Sequence, residues 1–177
     1  MSREDDDKGE IEIGAVFPGG TLEEAQAFVQ LHLANGAKCP ACGQFAKLYR
    51  RKLNATMAYA LVLIHQFFKK NPQHAWIHVA SFLVNTRRDS SVAGGDVVKL
   101  RHWGLIERVD GERGDGSDRV GRYTITELGR RFVEGAIAVP RYAYLFNQML
   151  MRLSEEKTTI QEALGDRFSY EELLQGA

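Results

Sequence analysis

The chain has 177 residues, 44% of them hydrophobic, and its 23 basic and 23 acidic groups cancel to a net charge of zero. That is enough chain for one domain of ordinary size with appended elements and enough apolar material for a real core, which excludes a disordered or fibrous protein. No stretch approaches the roughly 18 to 20 uncharged apolar residues of a membrane span, and "MSREDDDKGE" lacks the apolar run of a secretory signal, so a cytoplasmic protein without a membrane partner is expected.

Residues 1–10 are acidic, lack apolar periodicity and read as a disordered tail, and "IEIGAVF" alternates briefly like a short strand. Thr21 and Glu24 have the spacing of a capping box, followed by Ala25, Phe28, Val29 and His32 at helical intervals until Asn35-Gly36 ends the helix. The turn "CPACG" comes next, then the basic run "KLYRRK", which completes an N-terminal part over 11–53. Asn54 caps a second helix with Met57, Leu61, Ile64, His65 and Phe68 on one face, stopped by "NPQ" at Asn71.

"AWIHV" is a short strand or the start of the helix "VASFLVN". The small-residue loop "DSSVAGG" leads to Asp96 as N-cap of a helix over Val97–Trp103, ended by Gly104. "LIERV" and "GRYTIT" read as two strands joined by the loop 110–120, and Thr126 caps "ELGRRFVEG". From Pro140 onward, Tyr142, Leu145, Phe146, Met149, Leu150 and Leu153 fit a helical period, while Tyr142, Tyr144 and Phe146 also fit strand alternation. Capping pairs Thr159 with Glu162 and Ser169 with Glu172 predict two more short helices, so 140–177 is expected as a helical extension. The expected fold class is mainly α with a small β-hairpin, within the α+β group.

The zero net charge hides a strong segregation. Residues 1–35 hold two basic and eight acidic groups, 36–152 hold 19 and nine, and 153–177 hold two and six, which sets a middle of +10 between ends of −6 and −4. An anionic partner for the middle follows from that pattern, against the alternative of charges that merely solvate a face.

"LRHWGLIERV…GRYTITELGRRF" resembles the winged helix-turn-helix of bacterial DNA-binding regulators, over roughly residues 55–135. The whole chain is also similar to small bacteriophage proteins that place a CPxCG knuckle before such a module. The resemblance implies a winged-helix domain over 54–139, a Val97–Trp103 helix in the major groove of double-stranded DNA, and a 108–122 hairpin as the wing. Val97, Leu100 and Trp103 recur every three residues and face the core in that reading, Lys99 and His102 point outward and Arg101 lies near the edge. The expected DNA contacts are Arg87, Arg88, Lys99, Arg101, His102, Arg108, Arg113, Arg119 and Arg122, with Lys47, Arg50, Arg51 and Lys52 of the earlier basic run. Asp110, Glu112, Asp115 and Asp118 dilute the charge of the wing. Regulators with this module commonly form homodimers through added helices, and that is the expectation here.

Cys39 and Cys42, two residues apart in a Pro- and Gly-shaped turn, fit a zinc knuckle, for which His32 is the best third ligand and His65 a fourth in reach of the pattern. The same residues also allow a site shared between two chains, a reversible disulfide, or two inert thiols. No spacing ties a catalytic triad together, and "FPGGTLEE" lacks the Lys of a phosphate-binding loop, so an enzyme is not expected. The reading is a DNA-binding, phage-type transcriptional regulator with a structural Zn²⁺. Its alternative is a module that binds a host protein.

Overall fold

In a computed structural model of the chain, residues 20–86, 94–110 and 121–175 are described. Residue contacts divide it into two compact units, the first comprising residues up to Tyr49 with Leu145–Met149, the second Arg50–Tyr144 with Leu150–Ala177.

The smaller unit begins with α1 (Leu22–His32), where the Thr21 hydroxyl accepts from the Glu24 N–H and the Glu24 carboxylate accepts from the Thr21 N–H. Two-residue strands β1 (Ala37–Lys38) and β2 (Phe45–Ala46) then pair antiparallel around the CPACG turn.

The larger unit is built on α2 (Ala55–Lys70), capped by the Asn54 side chain, which accepts from the Met57 N–H at 3.0 Å. Met57, Ala58, Tyr59, Ala60, Leu61, Val62 and Ile64 are all buried, so α2 is covered on nearly every side. β4 (Ile77–His78) leads into α3 (Val79–Thr86), and α4 (Gly94–Val97) continues as a 3-10 helix over Val98–Trp103. β5 (Ile106–Arg108), β6 (Arg122–Ile125) and α5 (Glu127–Val133) follow. β6 is central in an antiparallel sheet between β4 and β5, with Ile77, Ile106, Tyr123 and Ile125 buried. β7 (Val139–Pro140) pairs with β10 (Lys157–Thr158), ahead of α6 (Ile160–Leu164) and α7 (Tyr170–Gln175). α4, α5, α6 and α7 all pack on α2.

The mainly α expectation with a winged helix-turn-helix core is corrected. The described residues carry ten short strands in four sheets, and the chain is a mixed α+β protein. The helical extension over 140–177 is overturned in its first half, where β8 (Tyr142–Phe146) and β9 (Met149–Leu153) form a hairpin. Ala143 and Leu145 are buried while Tyr142, Tyr144 and Phe146 are half-buried, a period of two that outweighs the coincident helical spacing. Asn147 and Gln148 at φ 47° and 63° make a two-residue turn whose hand matches strand twist. The basic run contains strand β3 (Tyr49–Lys52), to which the sequence reading gave no element, and β3, β8 and β9 lie in that order in one sheet. The expected Val97–Trp103 helix is a 3-10 helix from Val98, and its strict three-residue recurrence is the 3-10 period itself: Val97, Leu100 and Trp103 are all buried. The acidic tail, the strand "IEIGAVF" and most of the 110–120 loop lie outside the described residues.

One junction ties the 3-10 helix to α5. Gly104 ends the former in the left-handed region at φ 69°, the Thr126 hydroxyl donates to the Gly104 carbonyl at 2.6 Å, and the same hydroxyl accepts from the Gly129 N–H to cap α5. Gly129 lies so close that a Cβ there would meet the Leu105 carbonyl oxygen at 2.1 Å. Gly129→Ala gains about 1 kcal/mol of helix propensity but forces backbone apart at a cost of typically 1–3 kcal/mol or more. Chemical denaturation should therefore show a lower midpoint for this variant, and an unchanged or raised midpoint would contradict the close approach.

Candidate nucleic-acid interface

β3 is an edge strand in which all four residues, Tyr49, Arg50, Arg51 and Lys52, are exposed. A strand of this kind has no buried face to impose alternation, and its charges blunt an edge that would otherwise pair with another chain. Across the sheet the tyrosines of β8 meet arginines from three segments. The Arg50 guanidinium lies 4.7 Å from the centroid of the Tyr142 ring, with Arg141 at 6.0 Å from the same ring, and Arg152 of β9 lies 3.7 Å from the centroid of Tyr144. Arg141 also pairs with Glu156 at 2.8 Å. A guanidinium over a phenol ring is attracted to the ring face and still carries N–H donors that can meet an acceptor. Met149, Leu150 and Met151 of β9 are exposed, at 58%, 41% and 52%, and Leu150 shares the strand face of Arg152.

The sheet β4-β6-β5 carries a related arrangement. Arg122 stacks on Trp76 at 4.3 Å, and Arg108, paired in register with Tyr123, is exposed.

The segment expected to enter a DNA groove is less available. Lys99 is bound to Asp96 at 2.6 Å. His102, expected to point outward, is instead buried at 7% exposure, because a three-residue turn stacks it under Lys99 in a half-covered column. Burial, with Arg101 and then Lys99 nearby, pushes its pKa below the ordinary imidazole value. Trp103 donates its indole N–H to the Pro140 carbonyl at 2.7 Å and anchors the segment from within. Arg101 remains exposed. Arg87, Arg88, Arg113 and Arg119 lie outside the described residues.

In the smaller unit Lys47 is exposed, Cys39 is half-buried and Cys42 is exposed, both as free thiols. His32, expected as third zinc ligand, turns its Nδ1 to the Phe28 carbonyl at 2.8 Å and stacks on the Phe28 ring. Among the described residues no group of three or more His, Cys, Asp or Glu side chains is placed to hold a metal ion.

His65 lines a cleft of about 360 Å³ with Phe68, Lys69, His74, Arg130 and Glu134. Its Nε2 faces the Glu134 carboxylate at 3.3 Å, while its Nδ1 is buried without a partner. Burial pushes the His65 pKa down more than Glu134 pushes it up, with Lys69 and Arg130 adding to the depression. The neutral ring fits this site, since the Nδ1–H of the charged form would be an orphan donor.

The tyrosines of β8, with Arg141, Arg152 and Trp76, belong to this candidate surface and were not singled out from the sequence. The alternation of Tyr142, Tyr144 and Phe146 was the available signal. No known protein family, characterised protein or solved structure matches the chain. Among the described residues no helix is long and apolar enough to cross a membrane.

Two imidazoles with depressed pKa values dictate the sign of the acid response. The unfolded chain takes up protons first as pH falls through the ordinary histidine range near about 6.5, so their contribution is complete above that range and lost below it. Urea unfolding between about pH 7 and about pH 5 should show falling stability, with a shallower fall in His102→Leu. An identical slope in that variant would contradict the assignment.

Proposed function

We propose that the protein binds nucleic acid through the strand face formed by β3, β8 and β9. The observation that carries this reading is the pair of arginine-on-tyrosine stacks, Arg50 on Tyr142 and Arg152 on Tyr144, next to the exposed Arg51 and Lys52. Bases of a single-stranded segment present planar faces to such stacks and phosphates to the free guanidinium edges and the Lys52 ammonium, a combination that tolerates sequence. Exposed Leu150, two residues from Arg152 and on the same face of β9, extends the apolar part of the same surface. The +10 charge of residues 36–152 supports an anionic partner, and these strands fall within or at the border of that segment. A groove-reading role for Val97–Trp103 is not carried into the proposal, because its Lys99 is ion-paired and its His102 is buried.

Fluorescence anisotropy with mixed-sequence single-stranded and duplex oligonucleotides over a salt series tests it. Binding should favour the single strand and weaken steeply with salt. Arg50→Ala with Arg152→Ala should lose about tenfold or more, given about 1–3 kcal/mol per stacked base. Absence of binding at low salt by folded protein would reject the proposal and turn attention to a protein partner.

A further inference from the structure

Helical spacing puts four polar side chains around one cleft. His65 and Lys69 stand four apart on α2, Arg130 and Glu134 stand four apart along α5 to its C-cap, and residues so spaced share a helix face. The two helices pack on one another, and these residues line the cleft of about 360 Å³ together with Phe68, Pro72 and His74. That volume falls within the range of about 300–1,000 Å³ that small-molecule sites occupy. All of its lining belongs to the larger unit.

The charges of the cleft are unequally matched. The Glu134 carboxylate is engaged by His65 Nε2 at 3.3 Å. Lys69 has no carboxylate within ion-pair distance among the described residues. Arg130 meets Glu127 only at 3.6 Å, with both side chains exposed, which is a weak pairing. His65 is 8% exposed, and its Nδ1 is buried without a hydrogen-bond partner among the described residues. With the ring proton on Nε2 against the carboxylate, Nδ1 presents a lone pair that lacks a donor.

We propose that this cleft binds a small phosphate monoester whose body offers an apolar face and a hydrogen-bond donor. A phosphate monoester carries a charge of about −1.5 to −2 at pH 7 and so balances Lys69 and Arg130 together, where a carboxylate would balance one of them. Its oxygens also accept paired N–H groups from the Arg130 guanidinium. Phe68 and Pro72 receive the apolar face, and the donor meets His65 Nδ1. Glu134, engaged by His65, is the one opposing charge among the lining residues.

Titration of the full-length protein with uridine monophosphate, followed by ¹⁵N NMR of the histidine rings, tests the assignment, because this probe has the phosphate, a planar face and donors. It should bind saturably, more tightly than uridine or inorganic phosphate, and should move the His65 Nδ1 signal. Lys69→Gln and Arg130→Gln should each weaken binding by about tenfold, the contribution of one charge-assisted hydrogen bond. Lys70→Gln, a change at an exposed residue of α2 outside the cleft, should leave it unaltered. No saturable binding, equal binding of uridine or of inorganic phosphate, or an unmoved His65 Nδ1 signal would overturn the proposal. So would binding that is lost in Arg50→Ala with Arg152→Ala but kept in Lys69→Gln, which would place the probe on the strand face. The cleft shares no residue with the nucleic-acid reading, so either can fail while the other stands.

Discussion

The burial of α2 is the constraint on which the larger unit depends. A helix with apolar residues at Met57, Ala58, Tyr59, Ala60, Leu61, Val62 and Ile64 has no face to offer water, and each large side chain removed from solvent contributes about 1.5–3 kcal/mol only if something covers it. α4, α5, α6 and α7 supply that cover. The polar residues on α2 show how complete it is: the Gln66 side-chain amide donates to the Leu173 carbonyl, and the His65 Nε2 faces the Glu134 carboxylate at 3.3 Å. With the helices committed to this task, the short strands are left to form the sheets that present arginines and tyrosines to solvent.

The path from core to surface runs through a few connections. Thr126 joins the end of the 3-10 helix to α5, and the Trp103 indole joins it to Pro140 at the start of the strands that lead into β8. Leu53 then donates its N–H to the Arg141 carbonyl, which fixes the end of β3 beside the start of β8. Arg50 and Tyr142 meet because these strands are held side by side, so the stacks are a product of backbone placement as much as of cation–π attraction. β9 is an edge with three exposed apolar residues, a liability for a strand unless the surface has a use.

Much of the helical framework was legible because helix ends are written locally. Asn54, Thr21, Thr126 and Thr159 each cap the helix that the sequence assigns to them, since a side-chain acceptor and a backbone donor three residues apart need no tertiary information. The strands were harder for identifiable reasons. β8 and β9 carry apolar residues that satisfy periods of both 2 and 3.6, and only the burial of Ala143 and Leu145 decides between them. β3 is exposed on all four positions and carries no period at all. His102 was misplaced because a 100° helical step puts it outside, whereas the 120° step of a 3-10 turn puts it in the Lys99 column. The candidate site itself depends on the β8–β9 hairpin, so it could not be assembled from a sequence reading that made this region helical.

Ultraviolet cross-linking of the full-length protein to a mixed single-stranded oligonucleotide, followed by mass spectrometry of the linked peptides, tests the central claim most directly. The account predicts adducts at Tyr142 or Tyr144, and their loss with Arg50→Ala and Arg152→Ala. Adducts confined to residues 97–103, or none from protein that retains the oligonucleotide, would contradict it.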